Sequence, residues 1–404
     1  MLPLGCELKQ RGHRVAIISI EDARAKTEAA GLEFKAIAPS EYPLGHTKEL
    51  FAKLGSLKGI SAMQFTIDAI TDGARILMAY APDIVKNEDI EALLVDQATC
   101  EAGTIAEYSG IPFVSICSAI ILNEEFTVPP CVTDWSYDPS LLGILRNCVG
   151  YAAMSFGRRP LLEVINSYRR QWRLQPYLNI DETYSQIAQI SQQPSEFEFP
   201  RKQLPPNFYF TGSFNNSQSR EPADFPYEKL TGQPLIYASL GTLQNRLLNI
   251  FENIIKACRE LDVQLVIALG GGLNPESLAK AAEGTNTIVV GYAPQLELLQ
   301  KADLTITHAG MNTTLESLSH GVPLVAIPIT NDQPGVAARI VWTGTGEKLS
   351  PNQATPLNFR QTIQKVLNNN SYKKNAQRLQ QAMQRAGGTK KAIDIIEQAI
   401  AINT

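Results

Sequence analysis

The densest group of residues that could do chemistry lies at positions 307–317, which read THAGMNTTLES. The pattern predicts a strand that ends at Thr307, a tight turn through His308 and Gly310, and a helix that begins near Asn312. Helix amino termini present unpaired amides and the positive end of the helix dipole, so this turn predicts a seat for a pyrophosphate. Gly310 would let a ligand approach closely, and His308 could donate a hydrogen bond or a proton to a phosphate oxygen. The alternative is a histidine that only caps the turn.

Carboxylate and amide side chains near this turn could bind a sugar. Glu316 lies one turn inside the predicted helix, where it could accept hydrogen bonds from both hydroxyls of a ribose. With Thr313 it could instead form a capping box. Asp332 and Gln333 follow the next predicted strand at its carboxyl end, so they could bind sugar hydroxyls or simply form a solvated turn. Spacing alone leaves these alternatives open.

The elements that would position these residues alternate between two kinds. Short runs rich in Val and Ile are separated by segments with helical spacing, which predicts parallel sheets with crossover helices. The chain is therefore assigned to the α/β class. The predicted strands are residues 15–20, 34–37, 92–95 and 113–116 in the first half and residues 235–239, 264–268, 287–290, 304–307 and 324–328 in the second.

A proline-rich polar stretch between the two series of strands predicts a linker. The chain has 404 residues, which is enough for two domains. We predict one Rossmann-like domain at 1–213, a linker at 214–226, a second Rossmann-like domain at 227–386 and a final helix at 387–404. Ligands bind at the carboxyl ends of such sheets, so the site is expected in the cleft between the domains.

Charge and composition exclude several classes of protein. The 36 basic residues oppose 40 acidic ones, and the net charge of −4 lacks the basic excess that nucleic-acid binding needs. Six cysteines without a C-x-x-C pair indicate a reducing compartment. The sequence shows no apolar run of membrane-spanning length and no export signal, so we expect a cytoplasmic protein. It also has no D-x-D pair and no grouped histidines, so we predict no metal site and no cofactor.

Residues 291–333 resemble the nucleotide-sugar signature of the UDP-glycosyltransferases of the GT-B fold. The residues that carry the resemblance are GYAPQ at 291–295, THAGMNTTLES at 307–317 and PITNDQ at 328–333. Further similar stretches, at 187–191, 199–202, 238–244 and 332–340, extend it over nearly the whole chain, with the nearest likeness to bacterial zeaxanthin (carotenoid) glucosyltransferases. The resemblance implies that the first domain binds the acceptor and the second the UDP-sugar.

The resemblance also implies roles for individual residues of the second domain. Tyr292 would stack on uracil, Ala293 and Gln295 would help to hold the nucleoside, and Glu316 would bind the ribose. UDP-glucose or a related UDP-sugar is therefore the expected donor. The other implied donor-binding residues are His308, Gly310, Asn312, Thr313, Gly241 and Thr242 for the phosphates and Asp332 and Gln333 for the sugar.

Catalytic residues are implied for the first domain. Asp96, at the end of predicted strand 92–95, matches the carboxylate that orients the catalytic base in this family. That base is a histidine in the loop after the first strand, whereas this sequence opens on an amphipathic helix. We therefore expect that the first domain lacks its first strand, that the base lies upstream of Met1, and that full activity requires that segment. His46, in the loop after residues 34–37, is the only other candidate base, and the alternative is a loop histidine without a catalytic role.

These expectations describe an inverting, metal-independent transferase. It would move a hexose, glucose by the resemblance, from a UDP-sugar to a hydroxyl of a lipophilic acceptor such as the carotenoid zeaxanthin. Two alternatives stay open. One is a pseudoenzyme that binds UDP-sugar but lacks the base, and the other is a sugar-nucleotide epimerase or hydrolase of the same fold.

Residues 141–173 combine basic and apolar side chains. A basic amphipathic segment can lie on an anionic lipid surface, which predicts a peripheral contact with the inner face of a membrane. The alternative is that the apolar residues form core and the arginines a solvated face. The segment contains Arg146, Arg158, Arg159, Arg169, Arg170 and Arg173 against the single acid Glu163, interleaved with Ile144, Leu145, Met154, Phe156, Leu161, Leu162, Ile165 and Trp172.

Overall fold

The computed structural model describes residues 1–57, 59–214, 223–241, 248–271 and 273–403. These residues form two α/β regions, each built on parallel strands. The strands of the first region are β1 (Ala16–Ser19), β2 (Glu33–Ala36), β3 (Leu93–Asp96), β4 (Phe113–Cys117), β5 (Gln189–Ser191) and β6 (Phe208–Phe210). Its helices are α1 (Leu2–Gln10), α2 (Arg24–Ala29), α3 (His46–Ser56), α4 (Gly59–Asn87), α5 (Ala102–Ser109) and α6 (Leu141–Gln171).

The second region contains the remaining elements. Its strands are β7 (Leu235–Ser239), β8 (Gln264–Ala268), β9 (Thr287–Val290), β10 (Leu304–Thr307), β11 (Leu324–Ala326) and β12 (Gly346–Lys348). The helices are α7 (Leu248–Cys258), α8 (Ala279–Ala282), α9 (Gln295–Leu299), α10 (Met311–Ser319), α11 (Gln333–Trp342), α12 (Pro356–Asn368), α13 (Asn370–Ala386) and α14 (Gly388–Asn403). No helix in the described ranges is long and apolar enough to cross a membrane.

The sheets of the two regions differ in continuity. In the first region β1 pairs with β2, and a separate sheet has the order β3-β4-β5-β6. In the second region six strands form one sheet in the order β12-β11-β10-β7-β8-β9. All strand pairs among the described residues are parallel. The expectation that a further strand precedes α1 stays a prediction.

All nine predicted strands are present, with ends that differ by at most two residues. Strands β7, β8 and β10 are buried along their whole length, which explains why each is a continuous apolar run rather than an alternating one. Strands β5, β6 and β12 were not predicted, and each of them has three residues. Runs that short carry too little pattern to be recognised.

The order of the second sheet creates a switch point between β7 and β10. From β7 the chain proceeds outward through β8 and β9, and it then returns to place β10 on the other side of β7. When the loops after two adjacent strands leave in opposite directions, a crevice opens at the carboxyl ends of those strands. The crevice here lies where Gly241 follows β7 and His308 follows β10.

Buried contacts join the two regions. The Arg339 side chain on α11 donates its Nε to Glu198 Oε1 at 3.0 Å, and both side chains are almost fully buried. The Arg339 guanidinium also lies 4.4 Å from the ring centroid of Phe199. The final helix, α14, returns to the first region, where Ile393 and Ile396 share a core with Leu4. The domain boundaries stay a prediction, and residues 215–222 of the predicted linker lie outside the described residues.

Candidate donor and acceptor site

The imidazole of His308 occupies a narrow space between two glycines. A Cβ on Gly310 would lie 2.5 Å from Nε2 of His308, and a Cβ on Gly241 would lie 2.7 Å from Cε1 of the same ring. Gly241 also has a positive φ of 74°. Side chains at either position would collide with the ring, so both glycines are needed to hold His308 at the switch point. Thr242, which the sequence analysis placed beside Gly241, lies outside the described residues.

The pKa of His308 is lowered to about 4, because burial of the ring disfavours the charged form. The imidazole is therefore neutral at pH 7 in the ligand-free protein. The ring is hydrogen-bonded to the backbone of Ser239. A neutral imidazole has a single N–H, so a hydrogen bond to a phosphate oxygen requires that this bond is given up or that the ring takes up a proton, while the positive field comes from the helix that follows.

That helix, α10, begins at Met311 with Gly310 as its N-cap, and no side chain caps it. Its first amides have no partner within the helix, as the pyrophosphate prediction requires. The sequence analysis placed the helix start one residue later, near Asn312. Because Thr313 is the third residue of the helix rather than its N-cap, the capping-box interpretation of Thr313 and Glu316 was wrong.

Glu316 and Gln295 come together beneath the crevice. Glu316 is only 4% exposed, and its Oε2 accepts a hydrogen bond of 2.5 Å from Gln295 Nε2. Gln295 Oε1 accepts a bond of 2.9 Å from the hydroxyl of Tyr237 on β7. This chain of contacts orients the glutamate carboxylate and the amide that were predicted to hold the ribose and the nucleoside.

Tyr292 presents its ring to solvent beside that pair. Its side chain is 60% exposed, and its hydroxyl lies against Gly271, where an added Cβ would collide with it. The neighbouring Ala293 is partly buried against the core that contains Tyr237. The ring is thus supported at its edge by the glycine turn after β8 while remaining accessible for stacking.

Asp332 and Gln333 begin α11 at the other side of the crevice. The N-cap Asp332 accepts a hydrogen bond of 3.3 Å at Oδ2 from the amide of Ile120, and burial raises the pKa of its carboxyl group. Gln333 Oε1 accepts bonds from the amides of Ile329 and Thr330 at 2.8 and 3.0 Å. Gln333 therefore shapes the loop that presents Asp332.

The first region contributes Asp96, at the carboxyl end of β3. Its Oδ1 accepts a hydrogen bond of 2.9 Å from the amide of Ala98, and its Oδ2 accepts one from the hydroxyl of Ser118. Asn312 on α10 reaches the same region, since its Oδ1 accepts a bond of 3.0 Å from Gln192 Nε2.

His46 is not brought to Asp96. It is the first residue of α3, and its ring lies 4.5 Å from that of Tyr42 in an edge-on arrangement. Among the described residues, no histidine hydrogen-bonds to Asp96: His13 contacts Glu397, and His320 ends α10. The role of His46 as a base stays a prediction, and no geometry favours it.

Comparisons with known proteins identify the family of this chain. The family model of the UDP-glucoronosyl and UDP-glucosyl transferases matches residues 7–385. The chain belongs to this family. A zeaxanthin glucosyltransferase of Pantoea ananas is 32% identical over 397 residues, which cover 98% of this chain and 92% of that protein. Another, of Pseudescherichia vulneris, is 31% identical over 399 residues, covering 98% and 94%.

Solved structures of glycosyltransferases share the fold of this UDP-glycosyltransferase. The glycotransferase of kitacinnamycin has a TM-score of 0.74 at 20% identity, covering 99% of this chain and 95% of the other. The calicheamicin glycosyltransferase has a TM-score of 0.71 at 20% identity, covering 99% and 94%. The predictions of a GT-B fold and of a UDP-dependent hexosyltransferase are confirmed.

Several residues of the candidate site were not predicted from the sequence. Ser118 and Gln192 contact Asp96 and Asn312 through side chains whose partners are distant in sequence. Gly271, which packs against the hydroxyl of Tyr292, was also not predicted as a site residue. The described residues contain no group of three or more His, Cys, Asp or Glu side chains that could hold a metal ion. Metal independence itself stays a prediction.

Proposed function

We propose that this UDP-glycosyltransferase transfers glucose from UDP-glucose, with inversion, to a hydroxyl of a lipophilic acceptor of the carotenoid diol type, such as zeaxanthin. The observation that carries the donor side is the imidazole of His308 held between Gly241 and Gly310 at the start of α10. The donor side is further supported by the Gln295–Glu316 pair, which offers a carboxylate for a ribose. The acceptor class is supported by the relatives named zeaxanthin glucosyltransferase.

The proposed chemistry is a single in-line displacement. A base removes the proton of the acceptor hydroxyl while the oxygen attacks the anomeric carbon, and the bond from that carbon to the UDP oxygen breaks. The negative charge that develops on UDP is stabilised by the free amides of α10 and by a hydrogen bond from His308. Asp96, with both carboxylate oxygens already fixed, would orient the base.

An exposed apolar surface supports a lipophilic acceptor. We name it the α6 stripe: the exposed residues Leu141, Leu142, Leu145, Val149, Ala152, Ala153 and Phe156 of α6. The spacing of three and four residues puts them on one face, which runs for about 22 Å along the helix. Leu141 is 85% exposed and Phe156 is 78% exposed. Contiguous exposed apolar surface of this kind marks an interaction site.

We also propose that this stripe contacts a lipid surface, which limits the predicted membrane segment to the first half of residues 141–173. The second half packs inside the protein: Leu161 and Ile165 are buried in the core, and Arg169 is buried beside Glu107 at 2.9 Å. Arg146 and Arg159 flank the stripe and are at least partly exposed. The Arg146 guanidinium lies 4.9 Å from the ring centroid of Trp135, and Arg159 Nε donates to Glu163 at 2.8 Å. The remaining N–H groups of both side chains are suited to anionic headgroups.

The test of the proposed function is a transfer assay with zeaxanthin in lipid vesicles. UDP-glucose, UDP-galactose and UDP-N-acetylglucosamine are compared as donors, with and without excess EDTA, and the anomeric configuration of the product is read by NMR. We expect a β-glucoside from UDP-glucose, formed equally well in EDTA. Release of sugar without any acceptor would instead indicate a hydrolase, and conversion of the donor sugar would indicate an epimerase.

A UDP-sugar-binding pseudoenzyme is the second candidate, because no described histidine hydrogen-bonds to Asp96. Calorimetric titration with UDP distinguishes it from the transferase. Binding of UDP without transfer to any acceptor would support the pseudoenzyme and contradict the proposed function.

A further inference from the structure

The segment that follows β4 connects the two sides of the candidate site. The hydroxyl of Ser118 donates to Asp96 Oδ2, and the carbonyl of Ser118 accepts a hydrogen bond from the side-chain amide of Gln192. The same amide nitrogen of Gln192 donates to Asn312 Oδ1 at 3.0 Å. Three hydrogen bonds thus lead from Asp96, on the acceptor side, to the first turn of α10, on the donor side.

A second contact anchors the same segment to the second region. The amide of Ile120 donates to Asp332 Oδ2 at 3.3 Å. The side chain of Ile120 is fully buried in a core that includes Ala309 and Met311, which flank the N-cap of α10. Residues 118–120 are therefore held by packing and by two hydrogen-bonded links to Asn312 and Asp332, both predicted to bind the donor.

We propose that Ser118 and Gln192 are positioning residues that couple donor binding to the orientation of Asp96, an inference that rests on the proposed function. A donor that settles on α10 and α11 fixes Asn312 and Asp332. Through Gln192 and the amide of Ile120 these two side chains fix residues 118–120. The Ser118 hydroxyl holds one oxygen of Asp96 while the Ala98 amide holds the other. A bound donor that restrains Asn312 and Asp332 therefore makes this carboxylate more rigid for the transition state.

The chain offers a matched control for this proposal in the next residue. Gln192 is 4% exposed and Gln193 is fully buried. Gln193 donates to Glu198 Oε2 at 2.7 Å, and no recorded hydrogen bond joins it to Ser118 or Asn312. Gln192→Leu removes the coupling amide, whereas Gln193→Leu removes a buried hydrogen bond to Glu198, the partner of Arg339, and leaves the contacts from Ser118 through Gln192 to Asn312 intact.

The experiment measures kcat, the KM for UDP-glucose and the melting temperature of both variants, together with Ser118→Ala and Ser118→Thr. We expect Gln192→Leu and Ser118→Ala to lower kcat by roughly 10- to 100-fold with the KM changed by less than about threefold, the pattern of a lost transition-state interaction. Ser118→Thr, which keeps the hydroxyl, should restore most of kcat. Gln193→Leu should lower the melting temperature and keep kcat.

The double variant of Gln192→Leu with Ser118→Ala should be little worse than the poorer single variant, because both substitutions break one chain of contacts. Unchanged kcat in Gln192→Leu, or an equal loss of kcat in Gln193→Leu, would overturn the proposal.

Amide hydrogen exchange tests this proposal separately from the proposed function, because the measurement requires bound UDP but no sugar transfer. UDP should slow exchange of the amides at 118–120 in the wild type and in Gln193→Leu, and should slow it clearly less in Gln192→Leu, which keeps only the link from the Ile120 amide to Asp332. Equal protection in all three proteins would overturn the coupling. A wild type that shows the expected protection but transfers no sugar would contradict the proposed function alone.

Discussion

Gly310 lies so close to His308 that a methyl group on it would come within 2.5 Å of the imidazole Nε2. Gly310 is the N-cap of α10 and has an ordinary φ of −64°, so alanine is compatible with its backbone. The close approach to His308 is therefore the one feature that requires glycine at this position.

Gly310→Ala should displace the ring of His308 and weaken UDP binding by tenfold or more, about 1.4 kcal/mol. The reason is that the phosphate loses a hydrogen bond and that the added methyl group narrows the pyrophosphate site. Isothermal calorimetry with UDP checks this. Gly73→Ala in α4 is the control, since a Cβ there meets no atom within 4 Å. It should leave UDP affinity unchanged and stabilise the helix by up to about 1 kcal/mol. Identical UDP affinity in both variants would show that His308 does not contribute to the pyrophosphate site.

The pKa of His308 predicts how UDP binding depends on pH. In the ligand-free protein burial lowers this pKa from 6.5 to about 4. Because the folded pKa lies below that of the unfolded chain, the ligand-free fold loses stability as the pH falls from 6.5 towards 4. A bound pyrophosphate supplies negative charge that raises the pKa, so binding takes up a proton in this window and the affinity contribution of His308 grows as the pH falls.

Calorimetry in buffers of different ionisation enthalpy measures that proton uptake. His308→Gln, titrated in the same buffers, removes the contribution of UDP's own phosphate ionisation by subtraction. We expect the wild type to take up more protons than His308→Gln below pH 6. Equal uptake in the two proteins would show that the bound phosphate does not reach the imidazole.

Glu316 predicts discrimination between ribose and deoxyribose. If its carboxylate accepts hydrogen bonds from the ribose hydroxyls, Glu316→Gln should weaken UDP binding by about 1–3 kcal/mol. The same substitution should affect 2′-deoxy-UDP much less, because that ligand lacks one of the hydroxyls. Parallel titrations of UDP and 2′-deoxy-UDP check this. An equal loss for both ligands would mean that Glu316 acts only by holding Gln295 in place.

The parts of the site that could be predicted from sequence are those in which neighbouring residues share one element. The turn through His308 and Gly310 and the start of α10 follow from strand, glycine and helix signals within a few residues. Glu316 could be assigned to the crevice for the same reason. Helix spacing places it one turn from Asn312.

The parts that could not be predicted depend on contacts between elements that are remote in the chain. The second glycine beside His308 is Gly241, which follows a different strand, and its role requires the order in which β7 and β10 pair. The link from Ser118 through Gln192 to Asn312 crosses between the two regions. The resemblance supplied the role of Asp96, but neither it nor spacing indicated which side chains hold that carboxylate.

The amphipathic segment at 141–173 shows the same limit. Its composition indicated a basic and apolar helix, and α6 is such a helix. Helical periodicity could not decide which face of it packs against the rest of the protein. Contacts with α4 and α5 bury Leu161, Ile165 and Arg169, while the α6 stripe faces outward. The structure therefore limits the predicted lipid contact to the first half of residues 141–173, which the sequence alone could not do.

The stripe predicts reversible binding to anionic vesicles. Inserting several leucine, valine and phenylalanine side chains into the interface is favourable by roughly 1.5–3 kcal/mol for each one fully buried. Arg146 and Arg159 add an electrostatic part that salt weakens. Leu145→Glu should therefore lower vesicle binding by at least about tenfold, as measured by flotation at low salt. The matched control is Leu178→Glu, because Leu178 is 85% exposed, like Leu141, but lies outside the stripe.

Transfer assays should then separate lipid contact from catalysis. Leu145→Glu should slow glucosylation of zeaxanthin in vesicles and leave the affinity for UDP unchanged, because the stripe lies on the first region while the donor seat lies on the second. Leu178→Glu should change neither. If both variants float with vesicles as well as the wild type does, the stripe is not a lipid contact. If the wild type does not float at low salt, the acceptor must reach the enzyme from solution.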